Sequence, residues 1–134
     1  MIVFAAQTDI GDHTVDRYVT QFVKTRDVPA QDISGYVAHM KEALAAKSRE
    51  EKRVWAHQQA YIALGTLLTA AASMRVDSCP MTGFDHQAYD DVLGLAKLGL
   101  ETTAIVALGY RSARDRTSGL PKVRFDYDDM VISV

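Results

Sequence analysis

The chain has 134 residues, of which 48% are hydrophobic and 24% charged, a composition typical of a soluble globular domain. The formal net charge of −2 argues against nucleic acid or an anionic membrane surface as a partner. A single cysteine, Cys79, excludes an internal disulfide, and a cytoplasmic setting is the simplest interpretation.

The first part of the chain predicts a strand and two helices. The continuous apolar run 2–6 is typical of a strand buried on both faces. Asp12 predicts the cap of a helix that runs to about residue 24, and a second helix is expected over 32–47. Because a chain rarely begins inside a buried central strand, we expect another segment to precede it.

A long helix is predicted over residues 49–74. Ser48 followed by Glu51 is a capping-box pattern at its start. From Ala60 onward the helix is apolar nearly all round, but this stretch is shorter than the roughly 20 residues that a membrane span needs. A helix that is apolar all round must be covered on every side, which predicts a partner subunit or further chain.

Four elements are expected in the second part. They are an extended piece over 76–81, a short helix capped by Asp85 and reaching about residue 95, a doubly buried strand over 102–108, and a weakly alternating terminal strand over 130–134. Helices and strands alternate, which predicts an α/β or α+β class, and of these we adopt α+β: one domain over 1–134, with a mixed sheet flanked by helices and a long central helix.

The turn Pro80-Met81-Thr82-Gly83 is the first candidate site. Pro80 fixes φ and Gly83 allows a ligand to approach the backbone closely. Adjacent N–H groups at Thr82 and Gly83 then point at one acceptor-rich ligand, such as flavin N5 and O4. The alternative is an ordinary turn between a strand and a capped helix.

Lys122 and Arg124 form the second candidate site. Alternation in an extended segment puts both cations on one face, and two cations suit a phosphate. The alternative is a solvated polar face.

Other polar and aromatic residues give weaker signals. The four histidines lack metal-ligand spacing, so no metal site is predicted. Cys79 is expected to be a small buried side chain and His57 an exposed or interfacial one. Trp55, Tyr61 and Tyr36 are predicted to pack in the core, with a place in a pocket wall as the alternative.

Four segments in order resemble one family, the oxygen-insensitive NAD(P)H nitroreductases and dihydropteridine reductases, which bind FMN. The segments are MIVFAAQTD (1–9), WAHQQAYIALGTLLTAAASMRVDSCPMTGFD (55–85), ETTAIVALGYR (101–111) and LPKVRFD (120–126). The resemblance identifies the chain as the C-terminal portion of a nitroreductase-like subunit, incomplete at its N-terminus.

The resemblance implies a cofactor, a partner and site residues. Members are homodimers with two FMN sites at the interface, and FMN carries hydride from NAD(P)H to nitroaromatics, quinones or pterins. Pro80, Met81, Thr82 and Gly83 match the loop that faces flavin N5 and O4. Lys122 and Arg124 match the pair of residues that binds the FMN phosphate. Tyr36 and Val37 fall near the mobile helix that covers the substrate.

Two departures from the family leave a second function open. Thr82 stands where members often have Glu, and the N-terminal half, with an Arg-rich phosphate segment and an Asn near the flavin, has no counterpart here. The chain is then either a fragment of an FMN-dependent reductase or a natural short form. The alternative function is a non-catalytic dimerising or small-molecule binding module.

Overall fold

A computed structural model describes residues 1–134 as a three-stranded sheet with helices packed against it. The elements are β1 (Ile2–Gln7), α1 (Asp12–Arg26), α2 (Ser34–Ala45), α3 (Arg49–Ser73), β2 (Asp77–Met81), α4 (His86–Leu93), β3 (Leu100–Gly109) and α5 (Tyr127–Met130), with single 3₁₀ turns at Ala30–Ile33 and Leu95–Leu98. The α+β class and the long central helix are as predicted.

The sheet is antiparallel throughout, in the order β1-β3-β2. The predicted mixed pairing is therefore not found among these strands. β3 is central, and its residues Thr102 to Val106 are all buried, which confirms the expected doubly buried strand over that stretch, whereas Ala107 is exposed. β1 is an edge strand in which only Ala6 is buried, so the expectation of a central, doubly buried first strand was wrong. A short apolar run also suits an edge strand that a helix covers on one face.

A bulge in β3 decides which side chains face α3. Phe4 pairs with Ala104 and Ala5 with Thr102, so Thr103 is an extra residue without a partner on β1. The Thr103 hydroxyl contacts α3, and Ala104 also packs against α3. In a regular strand these two neighbours would face opposite sides of the sheet. The bulge therefore gives α3 both a polar and an apolar contact from consecutive residues.

α3 crosses the sheet and forms the main core. Leu64 packs on Ala104 and Val106 of β3, and Ala56 packs with Ala6 and residues near the start of α1. The predicted capping box is present, because the Ser48 N–H donates to Glu51 at 2.7 Å and the Glu51 N–H to Ser48 Oγ at 3.2 Å. No helix of the chain has both the length and the apolarity needed to cross a membrane.

The boundaries of three elements differ from expectation. α1 begins with Asp12 itself and has Gly11 as its N-cap, and α2 ends at Ala45. The predicted strand over 130–134 is absent, and the short helix α5 lies just before it. A weakly alternating segment becomes a strand only beside another strand, and none of the three strands pairs with this one.

Candidate functional site

The turn after β2 presents two unpaired backbone donors. Strand pairing ends at Met81, which is opposite Ile105. Neither the Thr82 N–H nor the Gly83 N–H donates to another group of the protein, and both residues are exposed. A Cβ added at Gly83 would meet nothing within 4 Å, and its φ does not require glycine. These neighbouring donors can bind one acceptor-rich ligand at close range.

The turn is held to the sheet by the helix that follows it. Asp85 caps α4, as predicted, by accepting from the Ala88 N–H at 3.1 Å. His86, the first residue of α4, places Nε2 3.2 Å from the Thr82 carbonyl and Nδ1 3.0 Å from the Thr102 carbonyl. One imidazole ring thus bridges the turn and the central strand.

Aromatic packing fixes the orientation of that ring. Phe84 stacks on His86 with ring centroids 4.2 Å apart, and Tyr89 packs against the other edge of Phe84 at 4.8 Å. The side chains directly after Gly83 therefore pack on α4 and leave the two N–H groups outside.

The opposite end of β2 carries an ion pair. Asp77 accepts from the Arg111 backbone N–H at 3.0 Å and from its Nε at 2.9 Å, and the guanidinium makes a second contact through Nη2. Arg111 also reaches the Ser118 carbonyl at 3.4 Å. The hydrogen bonds from Arg111 lower the pKa of Asp77 to about 2, with a smaller contribution from the charge of Lys122. This pair joins β2 to the base of the C-terminal segment.

Lys122 lies beside this ion pair, in an open depression of about 400 Å³ that Ser78, Cys79 and Arg111 also line. Arg124 is exposed and donates to the neighbouring Val123 carbonyl at 2.6 Å. The structure therefore brings Lys122, and not Arg124, to β2. Cys79 is exposed, so its predicted burial was wrong; β2 is an edge strand, with side chains open to solvent.

Tyr36 and Val37 belong to another part of the chain. Tyr36 lines an apolar depression of about 640 Å³ formed by α1, α2 and the start of α3, together with Tyr18 and Trp55. Tyr36 is 50% exposed and Trp55 36%, so neither is the core residue first expected. No residue of β2 or of the turn lines this depression. Within one chain, the candidate flavin and substrate residues do not meet.

A polar cluster lies between α3 and β3. His57 contacts Thr103 Oγ1 at 2.8 Å and Glu101 at 2.9 Å, and Arg53 Nε donates to Glu101 at 2.7 Å. Burial raises the pKa of Glu101, but the hydrogen bonds from Arg53 and His57 outweigh burial and leave that pKa below its usual range. His57 is half-buried, so it is not the exposed residue that was expected; the alternative of an interfacial position stays a prediction.

Sequence reasoning missed three side chains near the site: His86, Arg111 and Asp77. A histidine directly after the capping residue Asp85 was a visible signal for the first. The Asp77–Arg111 pair has no local pattern, because 34 positions separate its members. Pairing of β2 with β3 brings them together.

Known proteins resemble the chain in sequence and in fold. An oxygen-insensitive NAD(P)H nitroreductase of Salmonella typhimurium is 28% identical to it, in an alignment that covers 100% of this chain and 63% of that protein. The crystal structure of ydfN from Bacillus subtilis, assigned as a nitroreductase, has a TM-score of 0.80 at 16% identity, over 98% of this chain and 62% of the other.

A second solved structure agrees with the first. It is a Staphylococcus epidermidis protein assigned as an NAD(P)H:FMN oxidoreductase, with a TM-score of 0.73 at 17% identity, over 91% of this chain and 55% of the other. The chain thus spans somewhat over half the length of these proteins. Residues 11–110 match the family model described as Nitroreductase family, and the chain therefore belongs to the nitroreductase family.

Proposed function

We propose that this chain is the flavin-facing portion of an FMN-dependent NAD(P)H nitroreductase. The observation that carries the proposal is the pair of adjacent, unpaired N–H groups at Thr82 and Gly83. Two donors at neighbouring positions suit the neighbouring acceptors N5 and O4 of a flavin. Bound FMN would supply hydride transfer from NAD(P)H to a small aromatic acceptor such as a nitroaromatic, a quinone or a pterin.

The two ends of β2 fit the two ends of FMN. The turn lies at one end and Lys122 near the other, and the five residues of β2 extend roughly 13 Å. FMN is an elongated molecule with its ring system and its phosphate at opposite ends. We propose that Pro80, Met81, Thr82 and Gly83 hold the ring and that Lys122 binds the phosphate, with Arg124 able to join by a side-chain rotation.

The relatives support this chemistry by their names. The Salmonella typhimurium protein is named an oxygen-insensitive NAD(P)H nitroreductase, and the Staphylococcus epidermidis protein is assigned as an NAD(P)H:FMN oxidoreductase. Because the chain spans 63% of the first and 55% of the second, residues outside these 134 are expected to contribute to the complete site.

A homodimer is the second part of the proposal. α3 exposes apolar side chains along its length, including Val54 at 47%, Tyr61 at 47% and Ile62 at 64%. Soluble monomers rarely leave such a face uncovered. A second copy that covers α3 would also explain how Tyr36 and Val37, which no β2 residue approaches in one chain, line a substrate site beside the flavin of the partner.

FMN titration tests the proposal. The purified protein, at the full length of its relatives, should become yellow with FMN and retain the colour through gel filtration. The substitution Gly83→Leu adds a side chain in open space on the ligand side, so it should weaken FMN binding at least tenfold, about 1.4 kcal/mol, without loss of folded structure. The matched control is Gln21→Leu, which adds an apolar side chain at an exposed position on α1.

A colourless protein that forms a stable dimer would refute the flavin proposal and leave a non-catalytic dimerising or small-molecule binding module. Equal FMN affinity in Gly83→Leu and Gln21→Leu would show instead that FMN binds elsewhere.

A further inference from the structure

His86 makes two contacts that a neutral imidazole cannot satisfy together. Its Nδ1 lies 3.0 Å from the Thr102 carbonyl oxygen and its Nε2 lies 3.2 Å from the Thr82 carbonyl oxygen. Both partners are acceptors only. A neutral ring has one N–H and one lone pair, so one of the two contacts would place a lone pair against a carbonyl oxygen. The imidazolium donates to both.

Aromatic and charged groups surround the imidazole. The ring of Phe84 stacks on His86 at 4.2 Å, where its π face attracts a positive charge. Asp90 of α4 lines the same depression and accepts from the Thr102 N–H at 2.8 Å. The titratable and charged groups that share the depression with His86 are Arg53, His57 and Tyr61 of α3, Asp90 of α4 and Glu101 of β3. Arg53 is already paired with Glu101.

The two contacts join the turn to the central strand. Thr82 is exposed and lies outside the strand pairing, which ends at Met81. Its carbonyl is anchored through His86 to Thr102, which is 3% exposed in the middle of the sheet. The peptide between Thr82 and Gly83 contains both that carbonyl and the Gly83 N–H. Fixing the carbonyl therefore fixes the direction of one of the two candidate flavin donors.

We propose that His86 is a positioning residue for the flavin-facing turn, and that it holds the turn in place as an imidazolium. Loss of one ring proton breaks one of the two bridges, so the Gly83 N–H loses its fixed direction. FMN binding should therefore be weaker when the ring carries only one proton. The link to FMN rests on the proposed function; the clamp on the turn does not.

Nuclear magnetic resonance of the flavin-free protein tests the clamp. Two-bond ¹H–¹⁵N spectra distinguish an imidazolium from either neutral tautomer, and ¹⁵N relaxation reports the order of the Thr82 and Gly83 amides. We expect both ring nitrogens of His86 to carry a proton in the protein whose turn is ordered. The order of both amides should fall with the same pH midpoint as the loss of the His86 proton.

FMN titrations at several pH values test the consequence. At the acid end, His86→Gln should bind FMN about tenfold more weakly than the unsubstituted protein, because it loses a charge-assisted hydrogen bond. The variant should also lose the pH dependence. His13→Gln is the matched control, since His13 is exposed on α1 and contacts only Thr14.

The outcomes separate the two proposals. A turn that loses order with His86 deprotonation in a protein that never binds FMN supports the clamp and refutes the flavin site. FMN binding that is equally tight and equally pH-dependent in His86→Gln, with an unchanged turn, refutes the clamp and leaves the flavin site intact.

Discussion

The substitution Leu64→Ala tests whether the contact of α3 with β3 holds the fold together. Leu64 is 7% exposed and packs on Ala104 and Val106, both fully buried. β3 is hydrogen-bonded to strands on both sides, so it cannot move to fill the space left by the lost side chain. Because the cavity stays open, Leu64→Ala should lower the free energy of unfolding by about 3 kcal/mol, in the middle of the usual range for a buried Leu→Ala substitution.

This cost is large for the molecule. Only 12 of 134 residues are buried, so the core is small and the total stability is expected near the lower end of 5–15 kcal/mol. With a urea m-value of about 2 kcal/mol/M, the unfolding midpoint should fall by about 1.5 M. Leu98→Ala, at a site 68% exposed, is the control and should cost under about 0.5 kcal/mol. Equal midpoints for the two variants, at one protein concentration, would contradict this packing.

Two further predictions concern charge and assembly. The pKa of Asp77 is depressed from 3.8 to about 2, so its pair with Arg111 stabilises the fold above about pH 4 and is lost as pH falls through 2. Arg111→Gln should therefore lower the midpoint of urea unfolding at pH 6. The difference in midpoint between the variant and the unsubstituted protein should shrink between pH 4 and pH 2. A difference in midpoint that is constant with pH would contradict a stabilising role for the pair. Ile62→Glu should convert the proposed dimer to a monomer in sedimentation velocity, while Gln21→Glu on α1 should not, and a dimer that survives Ile62→Glu would exclude the α3 face.

Short sequence patterns correctly predicted features that depend only on residues close together in the chain. The Ser48 capping box and the Asp85 cap depend on residues within three positions of one another, and the structure has both features. Such contacts form wherever the residues occur in that order.

Long-range pairing could not be predicted in the same way. The strand order decides that β1 lies at an edge and that Cys79 is exposed, and no short stretch of sequence contains that order. The bulge at Thr103 likewise appears only when β1 pairs with β3, and it places Thr103 beside His57. The roles of Lys122 and Tyr36 in ligand binding stay predictions.

The separation of Tyr36 from the turn leads to a further prediction, about which chain of the proposed dimer supplies each residue of a site. If α2 of one copy covers the flavin turn of the other, each site takes Gly83 from one chain and Tyr36 from its partner. A mixed dimer of a Gly83→Leu chain with a Tyr36→Ala chain then has one site with both defects and one site with neither. Differently tagged chains, unfolded together, refolded and purified on both tags, should recover about half the activity of the unsubstituted dimer. Activity no greater than the mean of the two parent variants would place both residues in a site within one chain, and Tyr36 would then have to reach the turn by movement of α2.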